Sequence, residues 1–307
     1  METNAPRLLV LMSLFGLCAL FADSVIARIQ TFPVGDQPLD LAFDGANIWT
    51  ANGSDNTVTK LRASDGHLEG TFPTGSSPDG IVFDGSNIWV ANSGDATLTK
   101  LRASDGTLLG TFPVGNFPQG MAFDGANIWV TNGEDDTISK LRASDGVPLG
   151  TFAVGGFPGR AVFDGENIWV ANYLGGTITK LRASDGFAEG TFLVGSQSLP
   201  WGIAFDGNKI WVALSDRGTI AILRAADGMM LGTVKAGILP FGVTFDGANI
   251  WVTNYVGNDV YGIRAATGAL KVVVPSGESP RSVIFDGTSI WVVNTDSGTV
   301  SKISRNP

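Results

Sequence analysis

Histidine occurs once in this 307-residue chain, at His67, and cysteine once, at Cys18. A zinc or copper centre of ordinary composition draws on several such ligands, so none can be assembled here. His67 sits in the turn ASDGHLEG, where it reads as a solvated turn residue rather than a general base, and no Ser-His-Asp constellation is within reach. Basic residues are also scarce, 20 against 29 acidic, for a net charge of −9. That balance excludes a phosphate-tracking groove, which needs concentrated Lys and Arg, so nucleic acid is not an expected partner. No window after residue 27 shows 3.6-residue apolar periodicity, which argues against helices.

Long apolar runs are missing with one exception. Arg7 is followed by an apolar stretch from Leu8 to Ala22 and then by Val25-Ile26-Ala27, a small-residue exit. Those parts predict a signal peptide over 1–27, because the run is too short for a comfortable transmembrane helix. An integral membrane domain is therefore not expected, and the chain reads as exported, periplasmic or secreted. The remaining domain, 28–307, has 19 basic and 27 acidic residues, net −8, and no cysteine. It must hold together by packing alone.

What the sequence has in abundance is repetition. Phe-Asp-Gly begins at Phe43, Phe83, Phe123, Phe163, Phe205, Phe245 and Phe285, and seven of the eight tryptophans keep step with it. The period is 40, except 42 between the fourth and fifth copies. Self-similarity at this spacing points to propellers or arrays. The third copy, TFPVGNFPQGMAFDGANIWVTNGEDDTISKLRASDG, divides into four short strands: GMAFDG, NIWVTN, TISKLRA and LGTFPV. RIQTFPVG after the leader matches a fourth strand without its first three, and TVSKISRNP at the other end is a third strand without its fourth. Each supplies what the other lacks, so the fold class predicted is all-β: a seven-bladed β-propeller of four-stranded blades. It is closed by pairing the N-terminal outer strand with the C-terminal blade.

Residues common to every copy belong to this scaffold. The Phe and in-phase Trp are expected between blades, and the Asp of Phe-Asp-Gly is expected to accept backbone N–H bonds in its turn. Lys60, Lys100, Lys140 and Lys180, with Arg62, Arg102, Arg142 and Arg182, read as edge-protecting charges at the rim, pairing with turn aspartates.

Function is expected where the copies differ. One face carries the near-identical FDGxN and ASDG turns; the other carries the variable loops. After each loop proline come Leu39-Asp40, Asp79-Gly80, Gln119-Gly120, Gly159-Arg160, Trp201-Gly202, Phe241-Gly242 and Arg281-Ser282, overlooking the channel mouth. The fifth copy deviates most, with two extra residues before Trp201, Leu214 in place of Asn and Ile222 in place of Lys. Trp201 and Phe241 are expected to wall a ligand-binding site with Arg160, Arg281, Gln119, Asp79, Asp40, Tyr173, Tyr255 and Arg217. Its partner is a protein or a small molecule. No cofactor is required, although Asp40 and Asp79 could together hold calcium or magnesium.

The repeat PxGxAFDGxNIWVANxxxxTVTKLRASDG resembles the bacterial YVTN/NHL-like propellers, including YncE-like exported proteins and streptogramin (virginiamycin B) lyases. The resemblance spans 28–307 and implies the propeller fold. It implies two functional readings: a non-catalytic binding scaffold, or a metal-assisted lyase or lactonase-like hydrolase at the channel mouth. The lyases place a histidine and glutamates round magnesium, and His67 does not match that position.

Overall fold

Runs of β-branched and aromatic residues, cut every six residues by turns, fold into twenty-eight strands from β1 (Arg28–Pro33) to β28 (Thr299–Ser304). The computed structural model describes residues 28–195 and 197–304. The expected signal peptide, 1–27, lies outside the described residues.

The strands form seven four-stranded antiparallel sheets. Blade 1 is β2 (Pro38–Phe43), β3 (Asn47–Asn52), β4 (Thr57–Arg62) and β5 (Leu68–Pro73), in that order from the centre outward. Blades 2 to 6 repeat it with inner strands β6 (Pro78–Phe83), β10 (Pro118–Phe123), β14 (Pro158–Phe163), β18 (Pro200–Phe205) and β22 (Pro240–Phe245). Blade 7 is β26 (Pro280–Phe285), β27 (Ser289–Asn294), β28 and, on its outside, β1. Arg28 pairs with Ser304 and Pro33 with Thr299, so the two ends of the chain close the ring as the sequence predicts. Phe32 of β1 completes the joint by packing on Trp291 at 5.8 Å.

Both faces of every blade are covered by neighbours, which is why the tryptophans recur. Trp49, Trp89, Trp129, Trp169, Trp211 and Trp291 are fully buried. Each packs against the next blade, as Trp169 does against Ile203, Ile210 and Phe205. Burying a large apolar side chain contributes roughly 1.5–3 kcal/mol, so this contact, repeated round the ring, dominates cohesion. The Asp of Phe-Asp-Gly does more than cap its turn. In blade 1, Asp44 Oδ1 accepts the N–H groups of Ala46 and Asn47, while Oδ2 accepts Trp49 Nε1–H. The same carboxylate–indole bond recurs in all seven blades at 2.5–2.8 Å. Burial opposes ionisation of Asp124, yet the bonds from Trp129, Asn127 and the turn backbone outweigh it and hold this carboxyl below its usual range.

The repeated lysines correct the sequence expectation. The arginines are at the surface and pair with turn aspartates, as Arg102 does with Asp105, but the lysines are buried. Lys60, Lys100, Lys140 and Lys302 are 5–8% exposed. Lys60 Nζ donates to the carbonyls of Ala103 and Ser104 in the next blade, at 2.8 and 3.2 Å, and lies over its own Trp49 ring. Lys302 makes the same bridge from blade 7 to Ala63 and Ser64 of blade 1. Alternation along a strand identifies a face but does not say whether water or another blade covers it. In blade 5, where Ile222 replaces this lysine, Lys209 arrives from the neighbouring strand and reaches Ala265 O at 3.1 Å. In blade 6 the position is Gly262, and the blade it faces has no ASDG turn to receive a lysine, because its outer strand comes from the other end of the chain.

Candidate functional site

Seven inner strands converge on the channel, and the first two residues after each proline decide what its mouth presents. At the second position Gly80, Gly120, Gly202 and Gly242 have no room for a side chain. A Cβ on Gly202 would lie 2.0 Å from Phe241 O, and one on Gly80 would lie 1.7 Å from Gln119 O. The exceptions at that position are Asp40, Arg160 and Ser282, and these meet.

Arg160 reaches across the channel from blade 4 and donates from Nη1 to Asp40 Oδ2 at 2.6 Å. Its Nη2 donates to Asp79 Oδ1 at 3.4 Å. Asp40 Oδ1 accepts the Ser282 hydroxyl at 2.6 Å, and Oδ2 also accepts Ile81 N–H. Arg281 of blade 7 donates to Asp79 Oδ2 at 2.9 Å. Blades 1, 2, 4 and 7 are thus tied together over the opening by two carboxylates and two guanidinium groups, all largely withdrawn from water. Beneath this lattice lies a cavity of about 200 Å³ walled partly by Leu41, Ile81, Met121, Ile203 and Val243.

The aromatic half adjoins it. The Arg281 guanidinium lies 5.7 Å from the Trp201 ring centre and 5.5 Å from that of Phe241, which are themselves 4.8 Å apart. Tyr173 meets Trp201 edge-on at 5.2 Å, and Tyr255 meets Phe241 at 5.8 Å. Phe157 continues the chain beyond Tyr173, and Phe117 beyond Phe157. Six rings from blades 3 to 6 therefore form one continuous arc. Phe117 and Phe157 have φ of 54° and 49°, the left-handed region that bulky residues avoid. Gln37 and Ser77 adopt it at the same loop position, so the scaffold imposes this turn and the rings exploit it.

The insertion before Trp201 leaves the strand in register. Pro200 pairs with Leu214 and Ile203 with Val212, matching the other blades. Just before the strand, the Ser198 hydroxyl donates to Gly195 O, and Asp216 accepts Leu199 N–H. Trp201 then lies flat over Gly159, where a Cβ would come within 3.2 Å of its ring. It is only 6% exposed, so it is packed as well as poised.

Three buried polar groups here have no partner among the described residues: the Trp201 indole N–H, both amide atoms of Gln119 and Arg281 Nε. Gln119 is 1% exposed and rests against Gly133. An unpaired buried polar group costs about 1–3 kcal/mol, so each of these three, on blades 5, 3 and 7, stands to gain from a polar partner.

Of the residues expected from sequence, the structure joins Asp40, Asp79, Arg160, Arg281, Trp201, Phe241, Tyr173 and Tyr255 in one connected cluster and puts Gln119 at its edge. Arg217 stands apart, beside Asp216 and Gly195 on the loop rim. Phe117 was missed, and Ser282 was placed at the mouth without being named among the ligand-binding residues. Ser282 was detectable, because it shares the slot after proline with Asp40 and Arg160. Among the described residues, the two mouth carboxylates proposed for calcium or magnesium, Asp40 and Asp79, are engaged by guanidinium groups, whereas a calcium site draws on six or more oxygens. Among the described residues no group of three or more His, Cys, Asp or Glu could hold a metal, and no helix is long and apolar enough to cross a membrane.

No family model describes this chain, and no curated protein matches it. Among solved structures it is similar to a streptogramin B lyase, at 18% identity and a TM-score of 0.79, over 91% of this chain and 98% of that one. It is also similar to Kuenenia stuttgartiensis hydrazine synthase, at 15% identity and a TM-score of 0.77, over 87% and 95% respectively. At such identities the likeness shows the seven-bladed fold alone.

Proposed function

We propose that this chain is an exported, non-catalytic β-propeller that captures a partner, protein or small molecule, on its variable-loop face. The anchor is the channel mouth, where Trp201 and Phe241 hold Arg281. The observation that carries this reading is the set of buried but unpartnered polar groups, Trp201 N–H and Gln119 above all, bordering a continuous arc of aromatic rings. Aromatic and arginine side chains in a partly desolvated cluster are the composition of binding hot spots. Chemistry has less to draw on. The mouth's hydroxyl beside a carboxylate, Ser282 on Asp40, is buried, and that acid is also held by Arg160; Asp79 is paired with Arg160 and Arg281, and His67 belongs to the opposite, invariant-turn face.

Because Trp201 is packed, its truncation to alanine would confound folding with binding. Trp201→Phe keeps an aromatic ring in place while removing the N–H together with part of the indole's bulk, a partial large-to-small change expected to cost about 1–3 kcal/mol in stability. Peptide-library selection on the immobilised protein, 28–307, is expected to enrich sequences that bind at least tenfold more weakly to Trp201→Phe, which still melts in one cooperative transition lowered by no more than about 10 °C. No enrichment, or ligands indifferent to Trp201→Phe, would overturn the assignment.

A further inference from the structure

The variable face is divided by polarity as well as by shape. Over blades 4 to 6 the aromatic arc is bordered by aliphatic side chains that water covers: Leu174 is 67% exposed, Ile238 64%, Leu193 62% and Val256 59%. Single exposed apolar residues need no explanation, but four round one aromatic arc form a patch. Over blades 7, 1, 2 and 3 the loops of the same face carry Asp36, Asp55, Asp95, Glu134, Glu278 and Asp296, all exposed, and not one lysine or arginine. Some of these acids accept loop N–H groups, Asp55 from Asp36 and Asp95 from Ser76, which fixes their positions and leaves their charge. The two arginines near them, Arg160 and Arg281, are committed to Asp40 and Asp79 at the centre. Apolar and anionic crescents therefore meet along one line, at the mouth where Trp201 N–H and Gln119 lack partners.

We infer that the occupant of this face is a cationic amphipathic protein segment. Its aromatic or aliphatic side chains would cover blades 4 to 6, its lysines or arginines would face the acids of blades 7 to 3, and a backbone or side-chain polar group would meet Trp201 and Gln119. This rests on the binding role proposed above and gives it a partner class. Charge complementarity decides against the main competitor, since an anionic bilayer would be repelled by the acidic crescent.

The test uses 28–307 and a pair of labelled synthetic peptides, one alternating Trp or Leu with Lys, the other identical with Glu for Lys, read by fluorescence anisotropy. The Lys peptide is expected to bind at least tenfold tighter. Its advantage should shrink as salt rises, because the Debye length falls from about 10 Å at 0.1 M to about 3 Å at 1 M. Among the described residues the side chains of Asp36, Glu134 and Glu278 accept no hydrogen bond that shapes a loop, so the triple variant Asp36→Asn, Glu134→Gln, Glu278→Gln should fold normally and lose roughly tenfold toward the Lys peptide only. Equal binding of both peptides, each weakened by Trp201→Phe, would sink the cationic partner while leaving the anchor standing. A salt-insensitive preference, binding of neither peptide, or tighter binding to anionic phospholipid vesicles would also overturn the inference. The anchor itself stands or falls on the library selection.

Discussion

Replacing Lys302 by methionine isolates what holds one blade to the next at the joint where the ring closes. Methionine keeps most of the apolar stem and its contact with Trp291, and removes the ammonium that bridges Ala63 O at 2.6 Å and Ser64 O at 3.1 Å. A hydrogen bond to a charged group is worth about 1.5–3 kcal/mol and an exposed-to-buried cation–π contact about 0.5–2 kcal/mol. Against these stands the recovered desolvation cost of a buried charge, which offsets part of the loss. The net expectation is a destabilisation of about 2–3 kcal/mol, since the variant also strands two carbonyls. At about 2–4 °C per kcal/mol for a domain of this size, the melting temperature should fall by about 5–10 °C. Lys60→Met, at an ordinary junction, should lose a similar amount, while Arg102→Met, which breaks only an exposed pair with Asp105, should stay within about 0.5 kcal/mol. Urea and thermal unfolding followed by tryptophan fluorescence would read all three. A Lys302→Met protein as stable as the parent would show that the desolvation cost cancels the bridge, and that these lysines add nothing to the cohesion supplied by the tryptophan contacts.

Acid should loosen the ring through the turn aspartates. Asp124 and Asp286 titrate lower folded than unfolded: burial opposes this in both, but hydrogen bonds from indole, turn backbone and side chains prevail. Their stabilisation is complete above the unfolded value of about 3.9 and fades as pH drops through the depressed folded values. Melting temperature should therefore be flat above about pH 5 and fall below about pH 4, less steeply in Asp124→Asn; a fall beginning near neutrality would contradict it. The surface aspartates Asp185 and Asp227, held by hydrogen bonds from Arg182 and Arg224, protonate only at about 2. Gly202→Ala, which presses a Cβ toward Phe241 O, should cost at least about 2 kcal/mol and disturb the aromatic arc, measurable as lost stability with altered near-ultraviolet dichroism. Calcium or magnesium at millimolar level should leave the melting temperature unchanged, because Asp40 and Asp79 are already engaged; a rise of several degrees would restore the metal-assisted reading.

The fold was legible because the residues that build it recur at fixed spacing: a Phe-Asp-Gly turn and an in-phase tryptophan name the same contact seven times. The lysines were misread because a two-residue period shows which side of a strand a residue takes, and in a stack of blades neither side is solvent. The mouth was half legible. Its members occupy one slot after each proline, so position could be read from the repeat, but Arg281 meeting Asp79 joins residues 202 apart across an open centre, and only the ring brings them together. Asp55 and Asp95 hold the loop that enters their own blade by accepting Asp36 and Ser76 N–H, a role that spacing along the chain does not show.

The hybrid blade also sets an order of events. As the chain is synthesised, blades 1 to 6 can each complete their own sheet from contiguous sequence, whereas β1, made first of all the strands, must wait unpaired until β28 emerges. The final sector docks onto blade 6 through an apolar cluster that includes Val260 and Val283, with Gly262 at the position where five of the blades carry a lysine. Lys302 then seals it to blade 1. The edge of β1 that pairs with β28 therefore has no partner until the last strand is made.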